Sequence, residues 1–190
     1  MKVIIQTCSG REHFVKYLLK RIPNAIVNFD DFPDGGKFES TAFFNFQRGM
    51  KLAGNESLLY LEDDIILTDS FLNKIEKAKF ENPNMVIQFF SMRKKDIEIG
   101  TRVENGSNYI MMQCTYFPKG VAKGIYEHSL TYWDENHTTA PNDPCVASYL
   151  QKNKMKYVIY VPNLVDHRRE KSVINPRRSS NRISKTFKHV

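Results

Sequence analysis

The stretch Ser57–Leu72, SLLYLEDDIILTDSFL, runs apolar, breaks into three consecutive carboxylates and turns apolar again. Burying an unpaired carboxylate is costly, so Glu62, Asp63 and Asp64 must face water, a cation or hydrogen-bond donors. The apolar half, SLLYL, reads as a strand that delivers the acids to its end. Beyond them, Asp69 or Ser70 can cap a helix whose inner face is Phe71, Ile75 and Ala78.

Outward from this stretch the hydrophobic period switches between strand and helix. Val3, Ile4 and Ile5 open a strand that Ser9-Gly10 breaks, and Phe14, Tyr17, Leu18 and Ile22 then recur at helical spacing up to Pro23. AIVNF is a second strand, stopping at Asp30-Asp31 before the loop FPDGG. Phe43, Phe46, Met50 and Ala53 mark a helix that ends at Gly54. Later, MVIQFFSM, YIMMQCTYF and KYVIYVP read as strands and PCVASYLQKN as a helix. Strands alternating with helices imply an α/β fold with an open sheet and helices on both faces. Ligands bind such sheets beyond the carboxyl ends of the strands. Three of those ends carry Thr7, Ser9 and Arg11, then Asp30 and Asp31, then the acid triplet.

Length and composition set the frame. A chain of 190 residues, 41% hydrophobic and 26% charged, suits one domain, 1–190. No apolar run approaches the length of a membrane span, and the amino terminus does not read as an export signal. Cys8, Cys114 and Cys145 are odd in number, widely spaced and without a Cys-x-x-Cys pair, which argues against a disulfide framework and for a reducing cytoplasm. The net charge of +7 is unevenly placed: in the segment 168–190, eight Lys/Arg and one acid, Glu170, account for the whole excess. An anionic partner is therefore to be sought there, although a solvated basic tail has the same composition.

The order strand, Arg11, helix, strand with Asp30, helix, then LLYLEDDIILTDSFLNKI resembles the nucleotide-sugar half of glycosyltransferases with the GT-A fold, in which a short acidic motif closes a strand. NDPCVASYLQKN and VPNLVDHRREKSVINPRRSSNRISKTF resemble the remainder of that family, where a late strand leads through Pro to a His and a basic segment. The resemblance spans about Lys2 to Phe187, with 93–132 the least clear part. It implies a GT-A-like (Rossmann-like) mixed sheet, a UDP-sugar or related nucleotide-diphosphate sugar as donor, and Mn²⁺ or Mg²⁺ as cofactor. Asp64 becomes the direct metal ligand, Glu62 and Asp63 reach the ribose or orient metal-bound water, and His167 is the late ligand. Carboxylate and imidazole are the ligand types that suit Mn²⁺. A cation and Arg side chains such as Arg11 and Arg182 stabilise the departing diphosphate.

Other readings of the same residues stay open. The acid triplet could be a solvated turn before a helix, His167 a surface histidine, and Arg11 a partner of Glu12 or Asp31. Asp30 and Asp31 could be turn residues before Pro33, or the acid that bonds the base in this family. Asp143 stands where inverting members place the base that takes the acceptor proton, yet Asp before Pro144 is also a helix start. Trp133, read with Tyr132 as part of a polar loop, is either a stacking platform or a core anchor.

For the acceptor, the basic segment beside the rim suits DNA, since phosphate contacts give affinity without reading sequence. Compact chains of this type resemble phage enzymes that glycosylate hydroxymethylated bases. A glycan or lipooligosaccharide acceptor is the alternative within the family, and the same Arg/Lys side chains would also serve as a lid on the donor diphosphate. Outside the family, a metal-dependent nuclease and a non-catalytic DNA-binding module remain.

Overall fold

A computed structural model describes residues 1–30, 38–136, 142–170 and 180–188. Its centre is β3 (Leu58–Glu62), whose Leu58, Leu59, Tyr60 and Leu61 are all fully buried. A strand buried on both faces reads as a continuous apolar run, which is why SLLYL shows no alternation. β1 (Lys2–Cys8) lies parallel to β3, with Gln6 opposite Glu62, and parallel to the edge strand β2 (Ile26–Asp30). On the other side of β3 the order continues through β7 (Cys114–Phe117), β5 (Val86–Gln88) and β8 (Lys156–Ile159) to β6 (Arg102–Asn105). β7 is antiparallel to both neighbours, so the seven-stranded sheet is mixed.

Helices cover both faces, as the alternation of periods implies. α1 (Glu12–Arg21) and α3 (Phe71–Glu81) bury Val15, Leu18, Phe71, Ile75 and Ala78 against Ile5, Leu59, Leu61 and Ile87. α2 (Phe38–Ala53), α5 (Val121–Asn136) and α6 (Asn142–Lys152) pack Phe43, Phe46, Met50, Ile125 and Val146 against Ile4, Leu58 and Tyr60 on the other face. Each Val, Leu, Ile, Phe or Met among them contributes about 1.5–3 kcal/mol on full burial. α2 ends at Gly54, whose φ of +60° few residues other than glycine adopt readily.

The structure departs from the sequence reading at several points. Tyr109–Gln113 is not strand: Met111 has a φ of +72°, and the ladder begins only at Cys114. Tyr109, Met111 and Met112 are buried there while Ile110 is exposed, and so short an apolar run carries no period to distinguish loop from strand. In MVIQFFSM the strand ends at Gln88, and in KYVIYVP at Ile159. Tyr132 and Trp133 lie in the last turns of α5 and not in a loop, because the helix continues through the polar residues to Asn136. Ser70 does occupy the position before α3, but at φ +51° and without a side-chain capping bond. α6 begins at Asn142, so Asp143 falls inside the first turn and not at the cap.

The short segments missing from the sequence reading matter most for the site. β4 (Ile65–Leu67) follows the acids directly and pairs antiparallel with β9 (Val165–His167) in a separate two-stranded sheet, with Ile65 opposite His167. α4 (Asp96–Ile99) precedes β6, with Arg102 paired to the fully buried Asp96 at 2.8 Å. Among the described residues no helix is long and apolar enough to cross a membrane.

Candidate active site

Glu62 closes β3 and Ile65 opens β4, so Asp63 and Asp64 occupy the turn between two different sheets. The two side chains take opposite roles. Asp63 is bound inward: its Oδ2 accepts from Thr7 Oγ1 at 2.6 Å and its Oδ1 from Arg11 Nη1 at 2.5 Å. Thr7 comes within reach through the parallel β1–β3 register, and Arg11 because it begins α1 directly above β1. The same Arg11 Nη1 reaches Asp64 Oδ2 at 3.0 Å, bridging the two carboxylates. Burial opposes the charge on Arg11, but Asp63 and Asp64 outweigh it and hold the guanidinium firmly protonated.

Asp64 faces the other way. The β4–β9 register, extended by the Arg168 N–H donating to the Asp64 carbonyl at 2.8 Å, sets Asp64 Oδ2 3.3 Å from His167 Nε2. Burial would raise the Asp64 carboxyl, yet the His167 contact and then Arg11 hold it down to about 2. Its other oxygen, Oδ1, is buried and has no hydrogen-bond partner among the described residues. Buried carboxylate oxygens are rarely left in that condition.

The imidazole is oriented from behind. His167 Nδ1 lies 2.5 Å from the Arg168 carbonyl and must donate to it, which leaves Nε2 facing Asp64. Nε2 also lies 2.9 Å from Arg182 Nη2, which can only donate. That contact needs an Nε2 lone pair, so with Arg182 in place the ring is the neutral tautomer; the lowering of the Asp64 carboxyl by His167 belongs to the protonated ring, which Asp64 favours against burial. A carboxylate oxygen and a nitrogen lone pair then converge across 3.3 Å. Two acceptors so placed suit a shared cation.

Glu62 stands at the rim of this pair, half-buried. Burial first, then the neighbouring Asp64 and Asp143 carboxylates, push it up to about 8. Asp143 is half-buried and its Oδ2 accepts from the Met111 N–H at 3.0 Å, which ties the start of α6 to the 109–113 loop beside the acids. His167, the acid triplet, Arg11, Arg182 and Asp143 are thus gathered at one end of the sheet. Asp30 ends β2 one strand further out, opposite Cys8, and Ser9 is exposed in the turn after β1. Asp31 lies outside the described residues, as do Lys171, Arg177 and Arg178 of the basic segment.

Sequence reasoning missed three participants. Arg168 entered it only as tail charge, but its guanidinium lies 4.9 Å from the Phe14 ring centre and 4.7 Å from that of Tyr17, with Nε buried and unpartnered among the described residues. Asp166 and Asn163 anchor the last described segment: the Ser184 N–H donates to Asp166 Oδ1 at 2.7 Å, and Ser184 Oγ to Asn163 Oδ1 at 2.7 Å. The His-Arg-Arg run was the only available signal, and it does not say which cation turns inward.

Two tests bear on whether a divalent ion fits. The orphaned Asp64 oxygen and the oriented His167 Nε2 supply two ligands of the types Mn²⁺ accepts. Among the described residues no group of three or more His, Cys, Asp or Glu could hold a metal ion, so further ligands would come from water and from the phosphates of a substrate.

No family model matches the sequence, and no curated protein matches it. The fold is similar to that of the crystal structure of A197 from STIV, with a TM-score of 0.53 and 15% identity over 100% of this chain and 96% of that one. CTP:phosphocholine cytidylyltransferase (LicC) from Streptococcus pneumoniae is similar at a TM-score of 0.47 and 14% identity, over 87% of this chain and 72% of that chain. A glycosyltransferase involved in the glycosylation of the major capsid of PBCV-1 is similar at 0.40 and 12%, over 85% and 95%. The first likeness, at this identity, establishes a shared α/β fold and leaves the chemistry to the site.

Proposed function

We propose that this chain is a glycosyltransferase that moves a sugar from a nucleotide-diphosphate donor, most simply a UDP-sugar, to an acceptor hydroxyl. The observation that carries the reading is the Asp64–His167 pair, with its unpartnered carboxylate oxygen and its oriented imidazole nitrogen, flanked by Arg11 on Asp64 and by Arg182 on His167. Asp64 and His167 would hold Mn²⁺ or Mg²⁺, which supplies positive charge against the departing diphosphate. Arg182 and Arg11 offer donors to the same oxygens. Asp63 serves the site indirectly, by fixing Arg11 and the turn. Asp30 and Asp31 are the candidates for the nucleoside.

The acceptor oxygen attacks the anomeric carbon, the bond from that carbon to the diphosphate oxygen breaks, and the acceptor proton passes to the Asp143 carboxylate. Asp143 suits that role better than Glu62, whose carboxyl burial and then the Asp64 and Asp143 carboxylates push up to about 8 when no cation is bound. Direct displacement of this kind inverts the anomeric centre.

For the acceptor we carry forward a hydroxymethylated base in DNA, supported by the +7 held in 168–190, a reading that suits a phage-encoded enzyme in its host's cytoplasm. Since Arg168 packs on Phe14 and Tyr17 and Arg182 turns to His167, the exposed cations of the described tail are Arg169, Lys185 and Lys188. A titration of UDP-glucose by calorimetry with and without Mn²⁺, followed by transfer from labelled donors, tests the reading. Metal-dependent binding that Asp64→Asn removes is expected; binding indifferent to both metal and Asp64 overturns it.

A further inference from the structure

One lone pair in the site is claimed by a residue from the end of the chain. Arg182 Nη2 donates to His167 Nε2 at 2.9 Å, the atom that the Nδ1 bond to the Arg168 carbonyl leaves free for a ligand. The partnership is a poor one for a guanidinium. Arg182 gives its hydrogen to a neutral ring, and its Nε is buried without a partner among the described residues, whereas guanidinium groups bind phosphates and carboxylates in paired, charge-assisted geometry. The backbone beyond it is firmly placed: Ser184 is bonded to Asp166 and Asn163, and Thr186 Oγ1 accepts from the Asn163 N–H at 3.0 Å. Arg182 is therefore held close to His167 by contacts outside the site, while its own head group is under-satisfied.

Resting on the metal-assisted reading above, we propose that Arg182 is a built-in competitor for the cation: the Nε2 lone pair of His167 serves either the Arg182 guanidinium or a divalent ion, never both. A nitrogen lone pair accommodates one partner at bonding distance, and two cations side by side repel. A diphosphate resolves the competition, because its oxygens give the guanidinium a stronger partner and release Nε2. Metal alone then binds weakly, metal with a diphosphate binds well, and each raises the affinity for the other by the same factor. The consequence is a site that does not load with free cation in advance of its donor.

The test measures Mn²⁺ binding by electron paramagnetic resonance, with no turnover involved. Arg182→Gln is expected to bind Mn²⁺ alone about fivefold or more tighter than the unchanged protein, the lower end of ordinary coupling between sites. Inorganic pyrophosphate should raise Mn²⁺ affinity more in the unchanged protein than in Arg182→Gln, after correction for the Mn²⁺–pyrophosphate complex in solution. An Arg182→Gln protein with unchanged or weaker Mn²⁺ affinity, in a protein whose Mn²⁺ binding depends on His167, overturns the competition and leaves the metal site standing. Mn²⁺ binding indifferent to both His167→Ala and Asp64→Asn overturns the metal reading and the competition with it. A second measurement needs no variant: pyrophosphate without metal should shift the imidazole ¹⁵N resonance of His167 Nε2 in the unchanged protein, and an unmoved resonance equally overturns the proposal.

Discussion

Asp63 and Asp64 are neighbours in sequence, yet one is locked to Thr7 and Arg11 while the other lies 3.3 Å from His167 with an oxygen to spare. The turn from β3 to β4 separates them, handing one carboxylate to the large sheet and the other to the small one. Their substitutions should fail in different ways. Asp63→Asn weakens a buried ion pair and leaves Arg11 half-paired, so a loss of about 1–3 kcal/mol in stability is expected by urea unfolding. Asp64→Asn should lose Mn²⁺ binding, which Asp63→Asn should keep, and at neutral pH it should also lose the stability that the ionised Asp64 supplies. If both variants unfold alike and bind Mn²⁺ alike, the division of roles is wrong.

Glu62 gives the protein a pH signature. Its folded-state value near 8 stands above the ordinary 4.5, so between those limits the folded protein holds a proton that the unfolded chain has released. Stability from this group is present below about pH 4.5 and falls as pH rises through 8, with a slope approaching 1.4 kcal/mol per pH unit. Glu62→Gln should flatten the profile between about pH 5 and 8 in metal-free buffer. Asp64 works in a separate window with the opposite sign: its carboxyl is held down to about 2, so its stabilisation is present above pH 3.8 and lost as pH falls through 2. An unchanged slope in Glu62→Gln across the same interval would show that Glu62 titrates normally.

Much of this fold was legible because strong periods carried it. The apolar strand before the acids, the Phe43-Phe46-Met50 face and the Gly54 stop each had a physical signature. The site was legible only in part. His167 could be joined to Asp64 through family resemblance, but the agent that joins them, a pair of three-residue strands, is too short to show a period. Met111 and Arg168 were invisible for a related reason: a backbone turn at positive φ and the inward swing of one cation among many are set by tertiary contacts. Asp143 was expected as the cap before Pro144, but the helix starts two residues earlier, at Asn142, and includes it.

Asp143 now has a measurable structural duty beside its proposed chemical one. Asp143→Asn retains an oxygen that can accept the Met111 N–H, so the loop contact survives and only the base is lost. If Asp143 takes the acceptor proton, turnover should slow by about a hundredfold or more while stability changes by less than about 1 kcal/mol. Asp143→Ala should add a stability loss. A variant with Asn that turns over normally removes Asp143 from the chemistry.

The acceptor prediction has to respect the anchoring of the tail. Deleting the chain from Asn181 onward would remove Arg182 together with the Ser184 and Thr186 contacts, and would confuse site with surface. Lys185 and Lys188 are exposed and do not make those contacts, so Lys185→Ala with Lys188→Ala changes charge while leaving the anchor in place. If this face binds DNA phosphates, the logarithm of duplex affinity should fall with the logarithm of salt, at about −0.9 per phosphate neutralised. The double variant should reduce that slope by up to about 2 and leave Mn²⁺-dependent donor binding unchanged. A slope that stays the same, or duplex affinity insensitive to salt in the unchanged protein, moves the acceptor from DNA to a glycan. Transfer then decides between them, because hydroxymethylated DNA carries the nucleophilic hydroxyl that unmodified DNA lacks, and only the former should accept labelled sugar.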